Sequence, residues 1–281
     1  MAGVKIGVGF ERNTGWSTDS SGQQGITDAD GELLFSGQSN GHITYGGRKV
    51  GYYDSYYDYD FKDLGVFGWE PWNPELKVLM RRIENPTPMY ARDTKMANIK
   101  IKIPVIGKEV GFDLIAYDWV APYGNGQHID FIFYLEKTYR GFQDYDAKLT
   151  IKFLHPMDGI VEIEENLTNG SQFKLPRIAP KNGYKNSLQI IRNKKNNTET
   201  YRNYKFNDNY IFRVRAEVNN GNLARAMYGK IRGPIEIDPR VDPTEVYFKY
   251  YLNPDYTKNL EFDPKRNLFG NLPGMEQVNE P

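Results

Sequence analysis

The sequence predicts an all-β protein in which a small β-sandwich is followed by a larger antiparallel β-sandwich. Aromatic residues make up 14% of the chain, with 21 Tyr and 15 Phe, and such side chains fit the half-buried, pleated surface of a sheet. Short segments in which apolar and polar residues alternate recur along the chain, with turn signals between them. Helical spacing of apolar residues does not persist over three turns anywhere. These patterns favour strands over helices throughout.

The chain divides into four predicted segments. One of them, DLGVFGWEPWNPE, carries Gly, Pro and two Trp between strand-rich regions, which is typical of a linker. We expect Trp69 and Trp72 to pack there, because a fully exposed indole ring is unfavourable. The last segment is polar, and we expect it to be loosely held. The segments are a first sandwich at 1–62, the linker at 63–75, the larger sandwich at 76–268 and a tail at 269–281.

In the first sandwich, turn residues separate the predicted strands. Asp30-Gly31 is a dipeptide favoured in tight turns between strands. The segment TGWSTDSSGQQG is rich in Gly, Ser and Gln and predicts a polar loop. In chain order we predict a strand at 4–10, a loop at 14–25, a turn at 28–31, and strands at 32–37 and 42–47.

In the larger sandwich, the predicted strands are longer and alternate more clearly. The segment YIFRVRAEVN places Phe212, Val214 and Ala216 on one face and Arg213 and Arg215 on the other. This alternation predicts a sheet with one buried and one solvated face. The predicted strands lie at 76–83, 99–106, 110–120, 128–139, 147–154, 159–165, 210–219, 223–237 and 246–252.

Two stretches of the sequence resemble known groups of proteins. The first, which runs from AGVKIGVGFE through TDADGELLFSG to KVGYY, resembles the carboxypeptidase-regulatory-like domain, a transthyretin-like β-sandwich common in exported bacterial proteins. The matching residues are, in order, Thr27, Asp28, Gly31, Leu33, Phe35, Lys49, Gly51 and Tyr52. The rest, with NPTPMY, FDLIAYDWVAPYGNGQHIDF and YGKIRGPIEI, resembles an uncharacterised group of exported proteins from Gram-negative bacteria. The resemblance implies a periplasmic or cell-surface location, with a signal peptide ahead of this sequence in the gene, and no activity.

Composition and missing motifs exclude several classes of function. Lys+Arg and Asp+Glu both number 36, so no net field attracts nucleic acid. No apolar run approaches the length of a membrane span. The chain has no Cys and no HExxH, and its three His lie far apart at 42, 128 and 155. We therefore expect no metal, no cofactor and no enzymatic activity.

The acidic pair Asp28 and Asp30 admits two interpretations. Asp-x-Asp-Gly opens calcium loops, but further oxygen ligands at fixed spacing are needed, and the residues after Gly31 alternate like a strand. A turn in which the Asp28 side chain bonds its own backbone two residues on is the alternative. We predict the turn and leave the calcium site as a hypothesis.

A second candidate site combines Asp118, Trp119 and Tyr123. Together with Asp113 and Asp130, they form the densest polar and aromatic grouping in the chain. Paired carboxylates serve glycoside hydrolysis, and Trp119 or Tyr123 would form a platform for a sugar. The structural alternative is a buried Trp, a hairpin loop and capping aspartates.

A third candidate site is the run GYYDSYYDYDF. Tyr52 and Tyr56 would present an aromatic surface to a glycan or a protein partner. Alternating Tyr and Asp also forms a solvated strand face without any ligand.

The sequence thus favours a non-enzymatic, exported envelope protein with a binding or structural role. One alternative is a carbohydrate-binding or carbohydrate-active protein. Another is a subunit of an extracellular filament or virion, in which the N-terminal strand at 4–10 pairs with another copy. The expected partner is a glycan or an envelope protein.

Overall fold

The computed structural model describes residues 1–13, 18–66, 68–95, 100–164, 169–196 and 198–281. The chain forms two compact units, and each is discontinuous in sequence. Unit 1 comprises Met1–Glu84 with Asn166–Lys174, and unit 2 comprises Asn85–Glu165 with Leu175–Pro281. Residues 76–84, which the sequence analysis assigned to the larger sandwich, thus belong to unit 1. The all-β prediction is confirmed: a short 3-10 helix at Pro264–Arg266 is the helical element among the described ranges.

Unit 1 is built on a four-stranded antiparallel sheet in the order β2-β1-β3-β4, beside a two-stranded hairpin of β5 and β6. Val78 and Met80, from an irregular segment, lie against Gly47 on the buried face of the sheet. Ile6, Phe10 and Ile43 are buried on this face. The strands are β1 (Lys5–Asn13), β2 (Thr18–Ile26), β3 (His42–Arg48), β4 (Ser55–Asp60), β5 (Asp63–Gly65) and β6 (Gly68–Glu70).

Two local predictions in unit 1 are wrong. Residues 18–25 were predicted as loop, but they belong to β2, which pairs with β1 from Lys5–Ile26 to Asn13–Thr18 without a register shift. The predicted strand at 32–37 is irregular, and the ladder positions on both sides of β1 are taken by β2 and β3. Residues 14–17 of the predicted loop lie outside the described residues.

The same pairing corrects the expectation for the N-terminal strand. Because β1 is flanked on both sides, the strand at 4–10 cannot pair with another copy of the chain. The outer edge of the sheet on this side belongs to β2 instead.

The expectation that the two tryptophans at 69 and 72 pack holds for one and fails for the other. The Trp69 indole packs over Gly41, and its Nε1 donates to the carbonyl oxygen of Ser39 at 2.9 Å. Trp72 is 79% exposed, so the expectation that it packs is wrong.

Unit 2 is a sandwich of two six-stranded antiparallel sheets, as the sequence predicts. One sheet has the order β10-β9-β11-β12-β14-β15, and the other has β13-β16-β17-β18-β7 with β8 beside β18. The fully buried rings of Phe131 and Phe212 lie 5.2 Å apart and join the two sheets. The strands are β7 (Tyr90–Asp93), β8 (Ile101–Lys102), β9 (Glu109–Asp113), β10 (Asp118–Trp119), β11 (Phe131–Gly141), β12 (Asp144–Lys152), β13 (Gly159–Glu164), β14 (Ser187–Lys194), β15 (Tyr201–Arg202), β16 (Asp208–Asn219), β17 (Asn222–Asp238) and β18 (Glu245–Asn253).

Most predicted strands of the larger sandwich form, with different lengths. The predicted strand at 99–106 shortens to β8, and Ile99 lies outside the described residues. The predicted strand at 76–83 forms no ladder: its backbone makes an isolated bridge from Arg82 to Tyr52, and Leu79 is hydrogen-bonded to Ser55 and Tyr57. Strand β14 was not predicted. No helix in the described ranges is long and apolar enough to span a membrane.

Two further expectations for unit 2 are wrong. Arg213 and Arg215 were placed on a solvated face, but Arg213 is buried and Arg215 is largely buried, because elements of unit 2 cover both faces of β16. The tail at 269–281 is not loosely held, since Val278 and Glu276 are buried and Phe269 packs on Tyr90.

Candidate functional site

Trp119 lies in the core of unit 2 rather than on a binding surface. Its side chain is 9% exposed, and its ring packs edge-on against Phe112 at 5.0 Å and Phe133 at 5.6 Å. The indole Nε1 donates to the carbonyl oxygen of Lys102 at 3.1 Å. A ring enclosed in this way cannot serve as a platform for a sugar.

Asp118 organises the loop that follows Trp119. Its Oδ1 accepts a hydrogen bond from the Trp119 amide and its Oδ2 accepts one from the Asn125 amide, both at 2.8 Å. Tyr123, in the same loop, is exposed. The geometry is that of a hairpin loop capped by a carboxylate, so the three predicted residues do not form a common ligand surface.

Asp113 and Asp130 are buried and bound to Arg215. The guanidinium donates to both oxygens of Asp130, at 2.7 and 2.9 Å, and to Oδ1 of Asp113 at 3.0 Å. Burial raises the pKa of Asp130. Burial also disfavours the charged form of Asp113, but the backbone amides of Ala116, His128 and Gln127 donate to the Asp113 carboxylate and hold its pKa below the ordinary value. Because the oxygens of both carboxylates are engaged by protein donors, neither is placed to act as a general acid or base.

The turn interpretation of Asp28 is confirmed. Its Oδ1 accepts hydrogen bonds from the amides of Asp30 at 3.0 Å and Glu32 at 2.9 Å. The Glu32 amide, followed by those of Asp30 and Gly31, lowers the pKa of Asp28. Among the described residues, no group of three or more acidic or His side chains has the geometry to hold a metal ion.

The two candidate tyrosines differ in exposure. Tyr52 is half-buried, at the bridge to Arg82. Tyr56 on β4 is 50% exposed. The Tyr56 hydroxyl accepts a hydrogen bond from Arg48 at 2.7 Å and donates to Asp54 at 3.1 Å.

Tyr56 borders a groove of about 530 Å³ on the exposed face of the unit 1 sheet. Because alternate residues of a strand point to the same face, the strand register shows which residues form the groove. One row across the four strands is Gln24, Gly7, Gly46 and Tyr56. The next row is Gly22, Gly9, Thr44 and Asp58. Four of these eight positions are glycine, so half of the floor positions carry no side chain.

Two of the floor glycines have no structural reason to be glycine. A Cβ added at Gly7 would meet its nearest atoms at 4.0 Å, and one at Gly22 would meet only the carbonyl oxygen of Val8 at 3.9 Å. Neither residue has a positive φ. At Gly46, by contrast, a Cβ would overlap the carbonyl oxygen of Ser55. Glycine inside a strand weakens the strand and often marks a place where a ligand or another backbone approaches closely.

Charged side chains lie at both ends of the floor. Lys5 and Arg48 are directly opposite each other at one end, and Arg48 Nε lies 2.8 Å from Asp54. At the other end, His42 Nδ1 lies 2.7 Å from Asp60, and this hydrogen bond raises the pKa of His42. The groove therefore offers hydrogen-bond donors and acceptors without a large net charge.

This groove was not predicted from the sequence. The alternating glycines of KIGVGF, together with Gly22 and Gly46, were the available signal. Because residues 14–25 were predicted as a loop, the predicted sheet lacked β2, and the glycines could not be placed on one face. Comparisons of the chain with models of protein families, with curated proteins and with solved structures found no match.

Proposed function

We propose that the protein is a non-enzymatic binding protein whose ligand lies in the glycine-floored groove of unit 1. The observation that carries this proposal is the pair of glycines at positions 7 and 22, which leave open floor although the backbone and the packing accept a side chain there. Glycine in a strand lowers stability, and its use where a side chain would fit indicates that a ligand approaches the backbone there.

A binding role also agrees with the environment of the carboxylates. Asp113 and Asp130 are engaged by Arg215, and Asp118 caps a loop. The proposal therefore assigns no reaction to them. The carbohydrate alternative moves from Trp119 to the groove, because Trp119 is enclosed by other rings.

The test is a pair of substitutions on neighbouring residues of β2 that point to opposite faces. Gly22→Thr adds a side chain to the groove floor, and Ser21→Thr adds a methyl group on the other face. Screened on one array of glycans, peptides and envelope fragments, the wild type is expected to bind a ligand that Gly22→Thr loses and Ser21→Thr retains. Ligands bound equally by all three proteins would place binding elsewhere and contradict the proposal.

We propose an exported, periplasmic or cell-surface location, which the resemblance of residues 27–52 to the carboxypeptidase-regulatory-like domain supports. Fractionation of the source cells with an antibody against the protein tests this location. Recovery in the cytosolic fraction alone would contradict it.

A second candidate function is assembly through the edge of β2. This edge is nine residues long and pairs with β1 without a bulge, and an uninterrupted edge is a template for another strand. Light scattering and negative-stain imaging at increasing concentration test this candidate. A persistent monomer would rule it out.

A further inference from the structure

We infer that the groove binds a linear, uncharged oligosaccharide whose rings lie flat on the glycine floor. This inference rests on the proposed function and adds the chemical class of the ligand. Four features of the groove carry it: its floor, its aromatic wall, its polar groups and its open end.

The floor favours a flat ring with an apolar face. The backbone N–H and C=O groups of β1 and β3 point within the sheet toward neighbouring strands, where they form the ladder. They are not directed at an occupant above the sheet. Gly7 and Gly22 thus present open backbone surface that offers van der Waals contact and few hydrogen bonds, whereas the Thr44 hydroxyl lies close to Gly9 and the Tyr56 ring lies close to Gly46. A pyranose ring, which has C–H groups on its faces and hydroxyls on its rim, suits such a surface.

The aromatic wall is held in place by its own hydroxyl. Tyr56 lies at the end of the row that contains Gly7 and Gly46. Its hydroxyl is bonded to Arg48 and Asp54, so the ring is oriented by the protein while half of the residue remains exposed. A rigid aromatic side chain of this kind supplies contact area at a low cost in conformational entropy.

The polar groups match hydroxyls better than they match a charged ligand. Gln24 carries both a donor and an acceptor, the Thr44 hydroxyl can act as either, and Asp58 accepts. Arg48 is paired with Asp54, and the lining holds one further cation, Lys5, and one further acid, Asp58. A phosphate backbone requires an excess of positive charge, and an extended peptide adds to the edge of a sheet through its backbone groups. The groove has no excess of positive charge, and it lies on the face of the sheet rather than at its edge.

The open end of the groove favours a chain over a single sugar. Four strands about 4.8 Å apart make a floor roughly 14 Å long. Gly22 and Gln24 lie on β2, at the edge of the sheet, so a ligand can continue past this end without meeting a wall of β-structure.

The experiment measures the affinity of the whole protein for defined probes by isothermal titration calorimetry. The probes are neutral linear hexasaccharides of glucose, xylose, mannose and N-acetylglucosamine, an acidic hexasaccharide of galacturonate, and an extended neutral peptide. We expect at least one neutral hexasaccharide to bind. Gly7→Thr and Gly22→Thr should weaken this binding by about tenfold or more, whereas Ser21→Thr should leave it unchanged.

A second pair of variants separates the ring of Tyr56 from its hydroxyl. Tyr56→Ala removes the aromatic wall and should weaken binding about as much as Gly7→Thr does. Tyr56→Phe keeps the ring and should lose less, because the hydroxyl is bonded to the protein. Melting temperatures of all variants show whether a loss of binding is a loss of fold.

The outcomes distinguish the two proposals. If only the galacturonate probe or the peptide binds, and Gly7→Thr abolishes that binding, the ligand class is wrong and the groove remains the binding site. If a neutral hexasaccharide binds equally to the wild type and to both glycine variants, the groove is not its site and both proposals fail. Absence of binding to every neutral hexasaccharide overturns the ligand class.

Discussion

Arg215 holds two buried carboxylates in the interior of unit 2. Its φ of +53° lies in the left-handed region, where the register of β16 against β17 shifts between Val214 and Glu217. This bulge turns the Arg215 side chain toward Asp113 and Asp130, which belong to the other half of the sandwich. A bulge redirects one side chain without disturbing the rest of the strand.

The first prediction concerns this buried cluster. Arg215→Ala leaves two buried carboxylates without their cation and should lower the free energy of unfolding by about 3–5 kcal/mol. Denaturation in urea measures the change. The control is Arg225→Ala, which breaks a solvent-exposed pair with Glu217 and should have little effect. Equal effects of the two substitutions would show that the buried cluster contributes no more than a surface pair.

The second prediction concerns Asp158, whose carboxylate is buried. Its Oδ1 accepts a hydrogen bond from the Ala216 amide, Oδ2 has no partner within the described part of the chain, and burial raises its pKa above the ordinary value of 3.8. His155 and Arg213 oppose this rise, and Asp130 adds to it.

A raised folded-state pKa means that the folded protein binds this proton more tightly than the unfolded chain does. As the pH falls through the folded pKa toward the unfolded value, the wild type should therefore gain stability relative to Asp158→Asn. The gain should level off below the unfolded value of 3.8. Urea denaturation of both proteins across this range measures the difference, and a difference that is constant with pH would contradict the assignment.

The sequence predicted single residues where their partners are close along the chain. The Asp28 turn followed from its own neighbours, which supply both donors. The partnership of Arg215 with Asp113 and Asp130 could not be predicted, because it joins residues from different strands through a bulge. The enclosure of Trp119 by Phe133 depends in the same way on the packing of strands that the local sequence does not specify.

At the scale of elements, β2 shows how a weak strand former is recruited by its neighbour. Its Ser, Gln and Gly residues have low strand propensity, and those at 20–25 have no buried side chains. It forms because β1 offers a free edge, and the two strands pair along nine residues. Strands such as β11 and β18 were predictable, since their buried and exposed residues alternate over part of their length.

The third prediction separates stability from binding in the groove. Gly7→Thr places a β-branched residue in the middle of β1 without a clash, and it should raise the free energy of unfolding by about 0.5–1 kcal/mol. Gly46 lies directly opposite Gly7 in the register, and Gly46→Thr should destabilise the sheet because its Cβ would overlap Ser55. Thermal denaturation compares the two variants. Destabilisation by Gly7→Thr would show that the fold itself requires this glycine.

At the scale of the molecule, the C-terminal tail is part of the fold of unit 2. Phe269 packs against Tyr90 at 5.1 Å and Tyr250 at 6.4 Å. Glu276 accepts a hydrogen bond from Arg92 Nε at 2.8 Å, and Val278 belongs to a buried cluster with Met89. The tail was predicted as loose because few apolar residues occur in it. How much those few residues stabilise the fold depends on the side chains against which they pack, and the local sequence does not show these.

The fourth prediction tests this contribution of the tail. Removal of residues 269–281 should destabilise unit 2 by about 3 kcal/mol or more, because it uncovers the rings and side chains on which Phe269 and Val278 pack. Differential scanning calorimetry measures the loss. Met275→Ala alters an exposed residue of the same tail and should be nearly neutral. An unchanged melting transition after truncation would mean that the tail contacts contribute nothing.

The discontinuity of unit 1 has a consequence for its synthesis on the ribosome. The outer edge of β4 is covered by a segment far downstream, since the Tyr56 amide donates to Gly170 and the Gln172 amide donates to Asp54, each at 2.9 Å. Phe173 from that segment packs on Tyr53. At a translation rate of about 5–20 residues per second, the ribosome needs roughly 5–20 s to advance from the end of the N-terminal part to this segment. The edge of β4 therefore stays uncovered while the first half of unit 2 is made. A nascent chain stalled before residue 169 should bind chaperones that a chain stalled well beyond residue 174 no longer binds.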